Sequence, residues 1–179
     1  GIPPLPHTCL WYHRICQYLR LLDIITSIRT NTPFLLATLE RLAPTHPRVL
    51  ISGTADYAML AHVRHAFGPR PLDVTMLDLC PTSVALNLWY AERFGMTLTP
   101  ITGNALAVQA ERAFDLICTH NFVGRFDTER RQQLVDRWHA GRGVNAVRPC
   151  RIAARGCPAR RRLRHRAGDA LVRATAAGL

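Results

Sequence analysis

An α/β fold built on a doubly wound, mainly parallel sheet is predicted for residues 48–140, with a helical extension before it and an arginine-rich tail behind. Three observations predict it. From Arg48 onward, short apolar runs of strand length alternate with segments of helical periodicity, a spacing that implies parallel pairing through right-handed crossovers. Each apolar run ends in a turn bearing glycine, aspartate, asparagine or histidine, and sheets of this kind bind ligands at the C-terminal ends of their strands. A length of 179 residues with 48% hydrophobic content suits one domain plus an appendage and argues against a disordered or fibrous chain.

Pro3, Pro4 and Pro6 keep the first residues extended. Trp11, Ile15, Tyr18, Leu22 and Ile25 then recur with 4-3-4-3 spacing, which predicts one apolar stripe on a helix of about five turns. Thr32 before Pro33 reads as an N-cap with proline at the first helical position, opening a short second helix through Phe34, Leu35, Leu36, Leu39 and Leu42. The stretch Ala43-Pro44-Thr45-His46-Pro47 ends it. For residues 1–47, packing on the following domain is favoured over a homodimer seam or a cover for a substrate site. The chain opens on Gly1, and an initiating segment is expected to precede it.

The first strand is Val49-Leu50-Ile51, ending at Ser52-Gly53, and a helix bearing Met59, Leu60, Val63 and Phe67 follows until Gly68-Pro69-Arg70-Pro71 breaks it. Asp73 to Leu79 form the second strand, and Pro81 opens a helix through Val84, Leu86, Leu88, Trp89 and Phe94 that stops at Gly95. Thr97 to Ile101 are the third strand, leading to Thr102-Gly103-Asn104-Ala105. Phe114 to Thr119 are the fourth, and a helix over residues 128–140 gathers Leu134, Val135 and Trp138 on one face.

All 23 basic residues are arginine, a coding bias of a GC-rich genome rather than a physical requirement. The net charge of +11 is unevenly spread: residues 1–140 carry 13 arginines against 11 acids, and residues 141–179 carry 10 against Asp169 alone. Cys9, Cys16, Cys80, Cys118, Cys150 and Cys157 include no C-x-x-C pair, so neither a zinc site nor a disulfide framework is expected. Cys80 and Cys118 read as small buried thiols and the chain as reduced and cytoplasmic. The apolar stretch over residues 10–28 is interrupted by Arg14, Arg20 and Asp23, which excludes a membrane span or signal-peptide core there. His62 and His65 lack a third ligand and read as surface residues.

Four strand-end turns carry the candidate chemistry. In Ser52-Gly53-Thr54-Ala55-Asp56-Tyr57 the glycine permits close backbone approach, and the next helix offers its first amides. Asp78 ends the second strand about 25 residues further on, near the interval at which an acid meets ribose hydroxyls in nucleotide-binding α/β folds. A helix N-cap is the competing role for Asp78. The third turn is Gly103-Asn104-Ala105, and the fourth is Cys118-Thr119-His120-Asn121-Phe122.

Together these residues resemble the class I S-adenosylmethionine-dependent methyltransferases over roughly residues 48–140. V-L-I-S-G-T-A-D-Y stands where the family has its glycine-rich loop, T-M-L-D-L places Asp78 at the ribose, I-T-G-N-A places Asn104 and Ala105 at the adenine, and F-D-L-I-C-T-H-N-F resembles the family's fourth strand. The resemblance implies S-adenosylmethionine as cofactor, held by Ser52, Gly53, Ala55, Asp56, Tyr57, Asp78, Asn104, Ala105 and Thr119, and a small-molecule methyl acceptor. His120 is the candidate catalytic base, with Tyr57 and Asn121 at the same mouth. Of the family's G-x-G pattern only Gly53 is kept, with small Ser52 and Ala55 beside it. The N/D-P-P-Y motif is absent, which weighs against a DNA adenine methyltransferase, and the lack of G-x-G-x-x-G weighs against a hydride-transfer enzyme.

Past residue 140 the composition turns to Arg, Ala, Gly and Pro where the resembled fold continues with a fifth strand. The favoured explanation is a frameshifted tail without a strand of convincing length, leaving the sheet edge uncovered and the activity impaired. The alternative is a non-catalytic Rossmann-like domain that binds nucleic acid or a protein through this tail, where Arg160-Arg161-Arg162-Leu163-Arg164-His165-Arg166 would attract phosphates.

Overall fold

Val49, Leu50 and Ile51, with Val74, Met76 and Leu77, leave two adjacent strands buried on both faces, as the centre of a parallel sheet requires. The sheet contains β1 (Arg48–Ser52), β2 (Asp73–Asp78), β3 (Leu98–Thr102), β4 (Leu116–Cys118) and β5 (Arg151–Ala153) in the order β3-β2-β1-β4-β5, with every neighbouring pair parallel. The structure is a computed structural model that describes residues 10–25, 27–45, 47–108, 114–140 and 151–153. The helices are α1 (Leu10–Leu21), α2 (Ser27–Leu42), α3 (Ala58–Phe67), α4 (Pro81–Arg93) and α5 (Thr128–Ala140).

Two apolar layers hold the sheet. On one face Leu35, Leu39 and Leu42 of α2 and Leu60, Val63 and Phe67 of α3 pack against Val49, Ile51, Val74 and Leu116. On the other, Leu134 and Trp138 of α5 cover Leu50, Leu77 and Ile117. At the N-terminal end of the strands, Arg48 donates Nε and Nη2 to the two oxygens of Asp115, at 3.1 and 2.8 Å, and this raises the guanidinium pKa. Strand order reverses between β1 and β4, so the crevice beyond their C-terminal ends is the place where such a sheet receives a ligand.

The fold class, the first four strands and α5 stand where periodicity predicts them, but several expectations are corrected. The first helix stops at Leu21, and the chain turns through Asp23 at φ 57°. The second begins at Ser27 rather than Pro33, which lies inside it without an N–H to give to the helix. Thr32 therefore caps nothing; its hydroxyl donates to His62 Nε2 at 2.9 Å, while His62 Nδ1 donates to the Ala58 carbonyl at 2.6 Å. His62 thus joins α2 to α3 instead of facing solvent.

The apolar stripe of α1 points outward. Tyr18 and Leu22 are 66% and 69% exposed and Ile15 is also exposed, whereas His13 and Cys16 are buried and Arg20 is half-buried towards the domain. The side chain of Trp11 lies outside the described residues. Periodicity revealed a stripe but not the polarity of the neighbour, which is a turn full of backbone carbonyls and an acid. The same holds for α4: Leu88, Trp89 and Phe94 are exposed, and Ser83, Asn87, Tyr90 and Ala91 face inward. Cys118 is buried as expected, but Cys80 is half-buried against His13.

The tail does contain a strand. Arg151, Ile152 and Ala153 pair with Leu116, Ile117 and Cys118 along the open edge of β4. Backbone pairing needs no particular side chains, so a three-residue strand leaves little signal in an arginine-rich run. The frameshift and nucleic-acid readings otherwise fall on residues 141–150 and 154–179, outside those described.

Leu39 is fully buried, so Leu39→Ala should lower stability by about 2–5 kcal/mol, while Leu88→Ala, at an exposed position, should cost under about 1 kcal/mol; urea unfolding of both variants measures this.

Candidate functional site

The turn after β1 is built around one carboxylate. Gly53, at φ 67°, donates its amide to the Leu77 carbonyl at 3.0 Å, and the Thr54 amide donates to Asp78 Oδ2 at 2.9 Å. The Cys80 amide donates to Asp78 Oδ1 at 2.7 Å. Asp78 therefore fastens the glycine turn to the end of β2 and to the start of α4. It is not the N-cap of α4, a position held by Cys80 without a side-chain cap bond. Burial raises the Asp78 pKa, outweighing the amide hydrogen bonds that favour its anion.

The inward polar face of α4 completes the anchoring. Ser83 Oγ donates to the Thr54 carbonyl, and Asn87 Nδ2 donates to the carbonyls of Asp56 at 3.3 Å and Ser83 at 2.8 Å. Asp56 is buried; its Oδ1 accepts from the Ala58 amide at 2.9 Å, opening α3, and its Oδ2 pairs with Arg20 from α1. Burial opposes the charge on Arg20, but the Asp56 carboxylate outweighs it and the guanidinium pKa is raised. Ala55 offers its carbonyl to His13 Nδ1 at 2.7 Å. Tyr57 stacks on Tyr90 with ring centres 5.1 Å apart, turned towards α4.

Beside this turn, between the ends of β2 and β3, lies a cleft of roughly 380 Å³. Asp78, Asn104 and Arg130 are its polar side chains, set among the apolar walls Leu77, Leu79, Ala105, Leu106, Phe122 and Phe126. Asn104 Oδ1 accepts from the Leu106 amide at 2.9 Å, which shapes the third turn. Phe122 seats its ring directly on Gly53, where an added Cβ would lie 2.0 Å from the ring. Glycine is therefore required at 53 by an aromatic neighbour as well as by its positive φ.

At the end of β4, Thr119 is buried beside the buried Ser52 of β1, since Ile51 pairs with Cys118 one residue earlier. Neither hydroxyl has a hydrogen-bond partner among the described residues. Such orphaned groups are uncommon in a protein interior and suit a polar ligand reaching these strand ends. His120 Nε2 accepts from Asn31 Nδ2 of α2 at 3.1 Å, and Asn121 follows at φ 55°.

Of the sequence-predicted residues, Asp78, Asn104 and Ala105 meet in the cleft, Gly53 adjoins it through Phe122, and Ser52, Thr119 and His120 stand at neighbouring strand ends. Ala55, Asp56 and Tyr57 are engaged by α1 and α4. Sequence reasoning missed the second aromatic of the Phe122–Phe126 pair, whose four-residue spacing was a usable signal, and missed Arg130, Asn31, His13 and Arg20, whose roles depend on long-range packing. No helix among the described residues is long and apolar enough to cross a membrane.

The sequence matches no protein-family model and no curated protein. Its structure does match solved structures: an S-adenosylmethionine-dependent methyltransferase from Clostridium acetobutylicum, with TM-score 0.56 and 10% identity, is matched over 74% of this chain and 53% of its own. The fold is that of the S-adenosylmethionine-dependent methyltransferases. An O-methyltransferase family protein from Burkholderia thailandensis (TM-score 0.52, 14% identity) is matched over 65% of this chain and 36% of its own. An N-methyltransferase from Bradyrhizobium japonicum, in complex with S-adenosyl-L-homocysteine (TM-score 0.50, 17% identity), is matched over 60% of this chain and 55% of its own. The chain thus spans roughly a third to a little over half the length of these structures.

Because the raised pKa of Asp78 belongs to the folded state, its contribution to stability is fullest below the unfolded carboxylate pKa of about 3.9 and is lost as pH rises through the folded value. Urea unfolding of wild type and Asp78→Asn across this range should show the wild type losing stability relative to the variant as pH rises. A constant difference between them would contradict it.

Proposed function

We propose that this chain binds S-adenosylmethionine through its nucleoside half and transfers the methyl group to a small molecule. The observation that carries the reading is a half-buried carboxylate, Asp78, at the C-terminal end of β2, facing Asn104 and Ala105 across an apolar cleft beside the glycine turn. Bound S-adenosylmethionine supplies a methyl group made electrophilic by its sulfonium sulfur. Asp78 would accept the two ribose hydroxyls with the lone pairs its amide contacts leave free. Leu79, Ala105 and Leu106 would enclose the base and Asn104 would meet its polar edge, while Ser52 and Thr119 offer unpaired hydroxyls to a polar end of the ligand.

A hydroxyl or amine acceptor needs a base, and alignment of donor and acceptor supplies much of the remaining acceleration. His120 is our candidate for that base. Its Nε2 lone pair is engaged by Asn31, so the acceptor's proton must replace that bond. The likeness to an O-methyltransferase family protein and to an N-methyltransferase supports this general chemistry without selecting an acceptor. The competing reading, nucleic-acid or protein binding through the arginine-rich tail, rests on residues outside those described. Cytoplasmic residence and impairment by the altered tail belong to the proposal as well.

Calorimetric titration with S-adenosylmethionine should give heat with the wild type and lose it with Asp78→Ala. No heat from either chain would favour the non-catalytic domain. With an acceptor in hand, His120→Ala should lower kcat by about 10²–10⁴-fold while leaving cofactor affinity nearly unchanged.

We also infer a homodimer through the N-terminal helices. Its support is the outward apolar surface of α1 and of the turn after it, where Tyr18, Leu21, Leu22 and Ile24 are 65% exposed or more. Sedimentation velocity should show a concentration-dependent dimer that Leu22→Glu converts to monomer. A wild type that sediments as a monomer at every concentration would refute the dimer.

A further inference from the structure

One nucleophile two residues beyond Asp78 is not used by methyl transfer. Cys80 follows Asp78 and Leu79 and is partly accessible, with its Sγ 3.2 Å from His13 Nε2 of α1. His13 Nδ1 lies 2.7 Å from the Ala55 carbonyl oxygen. A carbonyl can only accept, so Nδ1 carries the proton and Nε2 turns its lone pair to the thiol. Nucleophile, base and orienting group stand in series, the arrangement by which proteins activate cysteine. The imidazole is itself buried and held at both nitrogens, so the base is positioned before any reagent arrives. Cys16 and Cys118, by contrast, are 1% and 0% exposed.

We propose that Cys80 is a covalent modification site for neutral, soft electrophiles of the α,β-unsaturated carbonyl class, with His13 as its base. In the addition the Cys80 proton passes to His13 Nε2 and a sulfur lone pair forms the bond to the β-carbon. The carbon–carbon π pair shifts to the α-carbon, which takes the proton back from the imidazolium and leaves His13 neutral. Nothing departs and no oxidant or reductant is consumed. The Asp78 carboxylate accepts from the Cys80 amide and so lies close to the pair, which disfavours anionic reagents, while exposed Leu79 offers apolar contact. The inference stands on the Cys80–His13–Ala55 geometry and does not require the cofactor reading.

The test treats the full chain with N-ethylmaleimide and follows each cysteine by peptide-resolved mass spectrometry. Cys80 should be labelled at least about tenfold faster than Cys16 or Cys118, and His13→Gln, which keeps a hydrogen-bonding side chain but cannot take the proton, should slow Cys80 by a similar factor. Labelling of Cys80 no faster than the buried thiols would overturn the proposal. So would a His13→Gln rate equal to or above the wild type, because the imidazole would then merely cover the sulfur. Should His13→Gln unfold the chain, His13→Asn takes its place: Cys80 labelling slowed by a similar factor supports the pair, and a rate equal to or above the wild type refutes it.

Discussion

The Asp78 carboxylate is the point at which the separate pieces of the site are joined. Its two oxygens take one amide from the turn after β1 and one from the start of α4, so three elements share a single charged acceptor. A carboxylate bonded to amides is stronger than a neutral acceptor, but it must be taken partly out of water to reach them. The raised pKa records that cost. Placing Asp78 at the cleft rather than in the core lets a ligand's hydroxyls share the compensation. The same group is a structural tie and, under the proposed function, the group that would meet the ribose.

Around this tie the glycine turn is held mostly by polar contacts, and these explain two helices whose orientations defy their hydrophobic patterns. The turn presents the carbonyls of Thr54, Ala55 and Asp56 and the carboxylate of Asp56. Those acceptors demand donors, and α4 answers with Ser83 and Asn87 while α1 answers with His13 and Arg20. Burial of these polar residues satisfies groups that would otherwise be costly to enclose. Ile15 and Tyr18 of α1 and Leu88 and Trp89 of α4 are then left outward, while Val84, Tyr90 and Ala91 of α4 turn inward with the donors.

This is also why some of the molecule could be read from its sequence and some could not. Strand runs such as Val49-Leu50-Ile51 and the Leu134-Val135-Trp138 face of α5 are buried by a requirement that acts locally, so periodicity locates them. The ends of β1 to β4 carry Ser52, Asp78, Gly103 and Thr119, and parallel topology alone brings these to one side of the sheet. By contrast, Arg20 meets Asp56 across 36 positions, His13 meets Cys80 across 67 and Asn31 meets His120 across 89. No local pattern encodes such pairs, because each partner is an ordinary surface residue type until the fold joins them. The three-residue β5 escaped for the opposite reason: its pairing is made by the backbone and places little demand on residue type.

Gly53 has a packing role that its motif does not show. In the sequence it marks a place where backbone and ligand approach each other closely. In the fold its missing Cβ makes room for the Phe122 ring, which also borders the cleft and meets Phe126 edge-on at 5.0 Å. One vacancy therefore serves the packing of the fourth turn, and any ligand group seated against Gly53 competes with that ring for the same space. The open part of the cleft lies further along, towards Asp78, Asn104 and Ala105. The cleft is thus open towards Asp78, Asn104 and Ala105, while access to the glycine turn depends on where an aromatic side chain from the fourth strand end is placed.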